Sequence, residues 1–321
     1  HLDWAKAPET SRYYRGLSLT EGCSQELLEV GGAAYRSKRL YSVFGGEVQV
    51  VHLTNHSTES RNDTLRLSLS RPENGRTSAA SGFLTLSGAL PDGKGGKGLG
   101  YAIVVRPSLP EGGELITQGD ELLIVNAPSI DLYIAHNTNY YDKHTPLVGR
   151  DIEQTLQAQA TGEGQLFAEH VQRFSAQMNR VQAHLAGSEV ARTSLPIDQR
   201  LRAYHEHPEL DPALATLYMQ FGRYLLLSST RPGARPPNLQ GLWTETIQAP
   251  WNGDYHLNIN LQMNYWPAEK GALPETVSPL TDWVESIVPS GERTAQIFYR
   301  AKGWVTHVLG NVWQFTAPGE H

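Results

Sequence analysis

Near Arg150 the chain changes its hydrophobic period, and that change limits the folds open to it more than any other feature. Before it, short segments rich in β-formers recur: Arg12 to Leu19, Glu47 to Leu53, Thr64 to Leu69, Phe83 to Leu86, Tyr101 to Val105, Glu121 to Val125 and Ile130 to His136. Several alternate apolar and polar residues, and turn chemistry such as Pro72-Glu73-Asn74-Gly75 separates them. Regular short strands with such turns predict an antiparallel β-sandwich rather than a parallel sheet. The glycine-rich stretch 93–98 lacks the residue order of a phosphate-binding loop and reads as a hairpin tip.

From Asp151 to Leu185 the chain is dominated by Gln, Ala and Glu. Leu166, Val171, Phe174, Met178, Val181 and Leu185 fall near helical spacing, so a connecting helix or helix pair is expected. His170 and His184 sit on or beside it and read as solvated or packed, not as ligands. Pro196-Ile197-Asp198 opens a short helix, and Asp211-Pro212 suggests an N-cap followed by an N1 proline for a helix over 213–228 with a wide apolar face. The prolines of residues 231–238 exclude a helix there. Ser278 to Tyr299 again reads as helix, with a break near Pro289. The expected organisation is a sandwich domain over 1–150, a helical linker over 151–195 and a helical domain over 196–321.

Charge and composition narrow the partners. A net charge of -6 gives no basic footprint, so neither nucleic acid nor an anionic membrane surface is expected as a partner. No apolar run approaches the roughly 20 residues that span a bilayer. Cys23 is the single cysteine, so no intrachain disulfide forms. Asn55-His56-Ser57 and Asn62-Asp63-Thr64 match the glycosylation acceptor pattern, which short sequences also reach by chance. No cofactor and no metal site is read from the sequence.

The chemically informative stretch is Gly253 to Glu269, GDYHLNINLQMNYWPAE. Extended, it points His256, Asn258 and Asn260 to one polar, uncharged face and Leu257, Ile259 and Leu261 to the other, with a helix starting near Asn260. The asparagines could equally satisfy backbone groups at a turn. Around this stretch Trp243, Trp251, Tyr255, Tyr265, Trp266, Trp304 and Trp313 are interleaved with Asn and Gly. Aromatic faces stack on sugar C–H faces while Asn, His and Glu read hydroxyls, so a carbohydrate pocket is favoured over an aromatic core.

RPGARPPNLQGLWTETIQAPWNGDYHLNINLQMNYWPAE, followed by AKGWVTHVLGNVWQFTAPGEH, resembles glycoside hydrolase family 95, the inverting α-L-fucosidases that include α-1,2-L-fucosidases. NLQGLW, APWNGDYHLNIN and QMNYWPAE occur together and in order, and the match is close from about Leu195 onward. The resemblance implies an N-terminal β-sandwich, a helical linker and an (α/α)6 barrel, of which residues 196–321 would supply only the first part. It implies a fucosylated glycan as substrate and a periplasmic or secreted location of bacterial type.

Asn258 and Asn260 would orient and activate water. His256 would contact the sugar and favour L-fucose, where a threonine goes with L-galactose preference in some relatives. Trp251 and Glu320 are further substrate-binding candidates, Glu320 resting only on the closing PGEH. The general-acid Glu and the Asp that polarises the amides are expected beyond His321. The first sandwich strands are likewise expected to precede His1, so this segment alone is expected to be inactive. A non-catalytic carbohydrate-binding protein and an α-L-galactosidase are the alternatives. A phosphorylase ranks below them, because no phosphate-binding cluster of Lys, Arg and backbone amides is evident near 250–270.

Overall fold

The computed structural model describes residues 2–4, 12–31, 33–56, 64–72, 75–140, 144, 146–246 and 248–319, with only the backbone for 3, 4 and 33–35. Of the two acceptor patterns, Ser57, Asn62 and Asp63 lie outside the described residues. The chain divides into two compact units, His1–Phe174 and Ser175–His321.

The first unit is an antiparallel sandwich. Its large sheet contains β2 (Arg12–Ser18), β3 (Cys23–Val30), β4 (Ala33–Ser42), β5 (Val48–Asn55), β7 (Arg76–Ala80), β8 (Phe83–Pro91), β9 (Lys97–Ser108) and β12 (Ser129–Thr138), in the order β2-β3-β4-β5-β12-β9-β8-β7. The small sheet contains β1 (Leu2–Trp4), β6 (Thr64–Leu67), β10 (Glu114–Gln118) and β11 (Glu121–Val125), in the order β1-β6-β11-β10. Every pairing in the two sheets is antiparallel. The sandwich expectation therefore holds, although β3, β4, β7 and β10 carry no clean alternation and were not anticipated.

Burial explains which strands alternate. Val51, Leu53, Ile130 and Leu132 point inward to meet Leu65, Leu67, Leu122 and Ile124 of the small sheet. Val48, Val50, Tyr133 and Ala135 point outward, where Ala158 and Leu166 cover them. β5 and β12 are thus buried on both faces, which their near-continuous apolar runs reflect. The 93–98 stretch is a hairpin tip: Pro91 pairs with Lys97, and Asp92 Oδ1 accepts from the backbone N–H groups of Lys94 and Gly96, both at 2.8 Å.

The expected helix pair is α1 (Leu147–Thr161) and α2 (Glu163–Met178), separated at Gly162, whose φ of 86° favours glycine. The apolar pattern read through Leu185 outruns the helix, which ends at Met178, and Leu185 is exposed. His170 is packed, as read. Its Nε2 faces the Glu21 carbonyl at 2.8 Å, its Nδ1 accepts from the Phe44 N–H at 3.1 Å, and burial pushes its pKa down.

In the second unit α3 (Val190–Thr193), α4 (Ile197–Glu206), α5 (Ala213–Ser229), α6 (Asn260–Lys270) and α7 (Ser278–Thr294) follow. At the start of α5 the Asp211 carboxylate is held by Arg200, and Ser188 Oγ accepts from the Ala213 N–H at 2.9 Å. Pro289 does not break α7. The helix runs through it and changes register only at Ala295–Tyr299, a π turn that ends on left-handed Arg300.

Candidate functional site

The stretch around His256 is held from below by an aromatic core. A two-residue strand β13 (Tyr255–His256) pairs antiparallel with β14 (Leu309–Gly310), and the Leu257 N–H extends the pairing to the Val308 carbonyl at 2.8 Å. Alternation sends Tyr255 inward: it is 2% exposed, its ring meets Trp283 edge-on at 4.8 Å, and its hydroxyl donates to the Pro236 carbonyl at 3.1 Å. Trp283 is anchored by its Nε1–H to the Asn311 carbonyl, 3.1 Å. Space opposite is tight, because a Cβ on Gly310 would lie 3.1 Å from the Trp283 ring and the indole would have to give by a few tenths of an ångström.

Alternation stops one residue later than Tyr255. Residues 257–259 form a turn, and Ile259 (φ -166°, ψ -33°) precedes the first residue of α6, Asn260. The helix starts where the sequence placed it, but the approach is not extended beyond His256. Ile259, expected beside Leu257 and Leu261, is therefore exposed, whereas Leu257 and Leu261 pack in the core with Leu226, Tyr265, Ala268 and Ile287. His256 is half-buried; Asn258, in the turn, and Asn260, at the helix start, are exposed. Gln262 Nε2 closes the turn on the Leu257 carbonyl at 2.7 Å.

Trp251 completes the group. Trp251, Asn252 and Gly253 take successive φ values of 54°, 57° and 59°, a left-handed turn that is costly for the two non-glycine residues, on the order of 1–3 kcal/mol each. Gln248 Nε2 donates to Asn252 Oδ1 at 2.7 Å and the Asp254 N–H to the Trp251 carbonyl at 3.2 Å, which fixes the turn. The result is an exposed indole set edge-on to the His256 ring, centroids 6.1 Å apart at 80°. Glu320 lies outside the described residues.

The loop ahead of the site was quoted as a motif without a role. Asn238 Oδ1 accepts from the Gln240 N–H at 2.8 Å, and a Cβ on Gly253 would come within 3.2 Å of Asn238 Nδ2 and 3.6 Å of Gln240 Oε1. Gln240 Oε1 is buried and accepts no hydrogen bond from the described residues. NLQG therefore lies against the glycine that leads into the site. Of the aromatics grouped as pocket residues, Tyr255 and Tyr265 belong to the core, while Trp243, Trp251, Trp266, Trp304 and Trp313 are exposed.

Residues 162–321 match the family model described as the Glycosyl hydrolase family 95 catalytic domain, and residues 1–143 that of the Glycosyl hydrolase family 65, N-terminal domain. "Alpha-L-fucosidase 2" of Arabidopsis thaliana is 36% identical over 69% of this chain and 27% of its own length. "Probable alpha-fucosidase A" of Aspergillus oryzae is 30% identical over 96% of this chain and 44% of its own length. The chain thus spans less than half the length of these curated relatives. In fold it is similar to a solved chain described as "Putative kojibiose phosphorylase from human microbiome" (TM-score 0.56, 13% identity), covering 94% of this chain and 39% of that one.

Proposed function

Through residues 162–321 the chain belongs to glycosyl hydrolase family 95, and from that membership we propose that it is part of an enzyme that removes terminal α-L-fucose, α-1,2-linked, from glycans with inversion. Relatives named as alpha-fucosidases support the substrate class. One observation carries the site assignment: exposed Asn258 and Asn260 follow directly on half-buried His256, beside which Trp251 offers an exposed ring held by a strained turn.

Inversion needs an acid for the leaving oxygen and a base acting on water at the opposite sugar face. An amide is a negligible base alone. Its carbonyl orients water, and a carboxylate accepting its N–H groups makes that carbonyl a better acceptor. Asn260 stands at the positive end of α6, whose first turn contains no acidic residue, so negative charge developing on the water is favoured there. Trp251 supplies a face for the sugar's C–H groups and His256 contacts the sugar on the side of its C6 methyl. The acid and the polarising carboxylate are roles that this reading assigns to no residue of 1–321. A periplasmic or secreted setting, where glycans are met, accompanies the proposal.

The test uses the full-length protein and 2'-fucosyllactose. Asn258→Ala and Asn260→Ala are each expected to lower kcat by about 10² to 10⁴, the usual worth of a proton-handling group, with KM changed little. Proton NMR of the first product should show β-L-fucose. Unchanged kcat removes the asparagine assignment, α-L-fucose as first anomer removes inversion, and binding without release of fucose leaves a carbohydrate-binding protein.

A further inference from the structure

The outer face of the large sheet holds a buried ionisable group that the proposed reaction does not use. Arg39, His52 and Asp131 are cross-strand neighbours in one row over β4, β5 and β12. Glu163, the first residue of α2, joins them from the helix. His52 Nδ1 stands 2.7 Å from Asp131 Oδ1, and one donor atom from each of His52, Asp131 and Glu163 lies within 4.8 Å of the other two. Asp131 and Glu163 are buried and His52 is half-buried.

Two further observations point to a cation. Among the described residues, two buried carboxylates, Asp131 and Glu163, share this row with one guanidinium, that of Arg39, which pairs with Glu163. The donors are also oriented from behind. His52 Nε2 meets Thr54 Oγ1 at 3.1 Å, and Glu163 Oε1 accepts from Arg39, while the Tyr41 hydroxyl lies nearer the Glu163 backbone carbonyl (3.3 Å) than Oε1 (3.5 Å). Metal-bound imidazoles are held through their second nitrogen in this way, and metal-bound carboxylates are hydrogen-bonded in turn.

We propose that His52, Asp131 and Glu163 bind a divalent first-row metal ion that ties the start of α2 to the sheet. An imidazole and two carboxylates suit Zn²⁺, with water in the fourth position. Bonds of about 2.0–2.2 Å in a tetrahedron set ligand atoms roughly 3.3 Å apart, so the His52–Asp131 pair, at 2.7 Å, opens by about 0.6 Å and any pair near the 4.8 Å limit closes on binding. The three ligands lie far apart in sequence, in two strands and a helix, which is why no linear motif announces them.

Zn²⁺ titrated calorimetrically into metal-stripped protein should show one saturable site and a rise in Tm that a chelator reverses. Co²⁺ in its place should give the intense visible bands of tetrahedral coordination. His52→Ala and Glu163→Gln should abolish the site, and Thr54→Val, which keeps a β-branched strand residue, should weaken it by about 10- to 100-fold. The proposal is overturned by absence of a saturable site, or by equal affinity in His52→Ala, which would place the metal on other histidines. If circular dichroism shows the first two variants unfolded, Thr54→Val decides: unchanged affinity overturns the proposal.

Discussion

Arg200 and Asp211 meet through two parallel hydrogen bonds, Nε to Oδ2 at 2.6 Å and Nη2 to Oδ1 at 2.8 Å, with both side chains buried. The bidentate geometry holds the Asp211 carboxyl below the ordinary carboxylate range and raises the guanidinium in return. It joins α4 to the entry of α5.

Removing one partner leaves a buried charge unpaired. Asp211→Ala is expected to cost about 3 kcal/mol, and Arg200→Met with Asp211→Leu much less than either single change. Because the folded pKa of Asp211 is depressed, its stabilisation is complete above the ordinary carboxylate range and is lost as pH falls through the folded value. Urea midpoints measured from pH 6 down to pH 3 should therefore fall for the wild type and stay flatter for the double variant.

Arg223 is another buried cation, and it serves carbonyls rather than an acid. Its Nη1 reaches the Met178 carbonyl at 2.7 Å, Nη2 that of Gln177 at 3.0 Å, and Nε that of Gly271 at 2.9 Å. It closes the C-terminal ends of α2 and α6 together. Arg223→Met keeps most of the volume but strands these acceptors at about 1–3 kcal/mol each where they remain buried. A loss of several kcal/mol is expected. Hydrogen exchange should also accelerate first at the amides of Gly271 and Leu273, which close the end of α6. Protection unchanged at those amides would show that the cap does not hold the helix end.

How much of this was legible in the sequence depends on whether a residue's partner is local. β11 appears with the bounds expected, since Glu121 to Val125 is a short run rich in β-formers between Gly119-Asp120 and Asn126. β3 and β4 were missed because their charges are satisfied across strands, as in Lys38 to Glu26 at 2.8 Å, and no linear pattern displays that. The helix start at Asn260 was readable from the polar-to-apolar change; the turn over 257–259 was not, because it depends on β14 capturing His256 fifty residues further on. The Arg200 partner of Asp211 was not readable for the same reason, since it sits on another helix.

Asp151 illustrates an unfavourable buried charge. It is fully buried in α1, Asn137 Nδ2 donates to its Oδ1, and its Oδ2 has no hydrogen-bond partner among the described residues. Burial holds its carboxyl above the ordinary range, with Glu47 adding to the shift and Asn137, Arg150 and His136 opposing it. A raised carboxyl pKa means that the folded chain keeps a proton the unfolded chain has released, so stability falls as pH rises through that interval and the penalty persists above it. Asp151→Asn should then raise Tm at pH 7, and the gain should shrink as pH falls below about 4, where the unfolded chain also binds the proton. A gain independent of pH would mean that shape, not charge, limits the site.

The last prediction concerns which sugar the site prefers. The His256 backbone is held by β13 pairing, and its half-buried imidazole meets the Trp251 ring edge-on. L-Fucose and L-galactose differ only at C6, a methyl against a hydroxymethyl. An imidazole there favours the smaller, apolar substituent, and a threonine leaves room and a hydroxyl for the larger one. In the full-length protein His256→Thr is expected to lower the ratio of kcat/KM for L-fucosides over L-galactosides by about 1–3 kcal/mol, or roughly 5- to 150-fold. Trp251→Ala should instead weaken both substrates together, since it removes a stacking face that the two sugars share. Equal losses on both substrates for His256→Thr would put that histidine in the same general role as the tryptophan and leave selectivity to another residue.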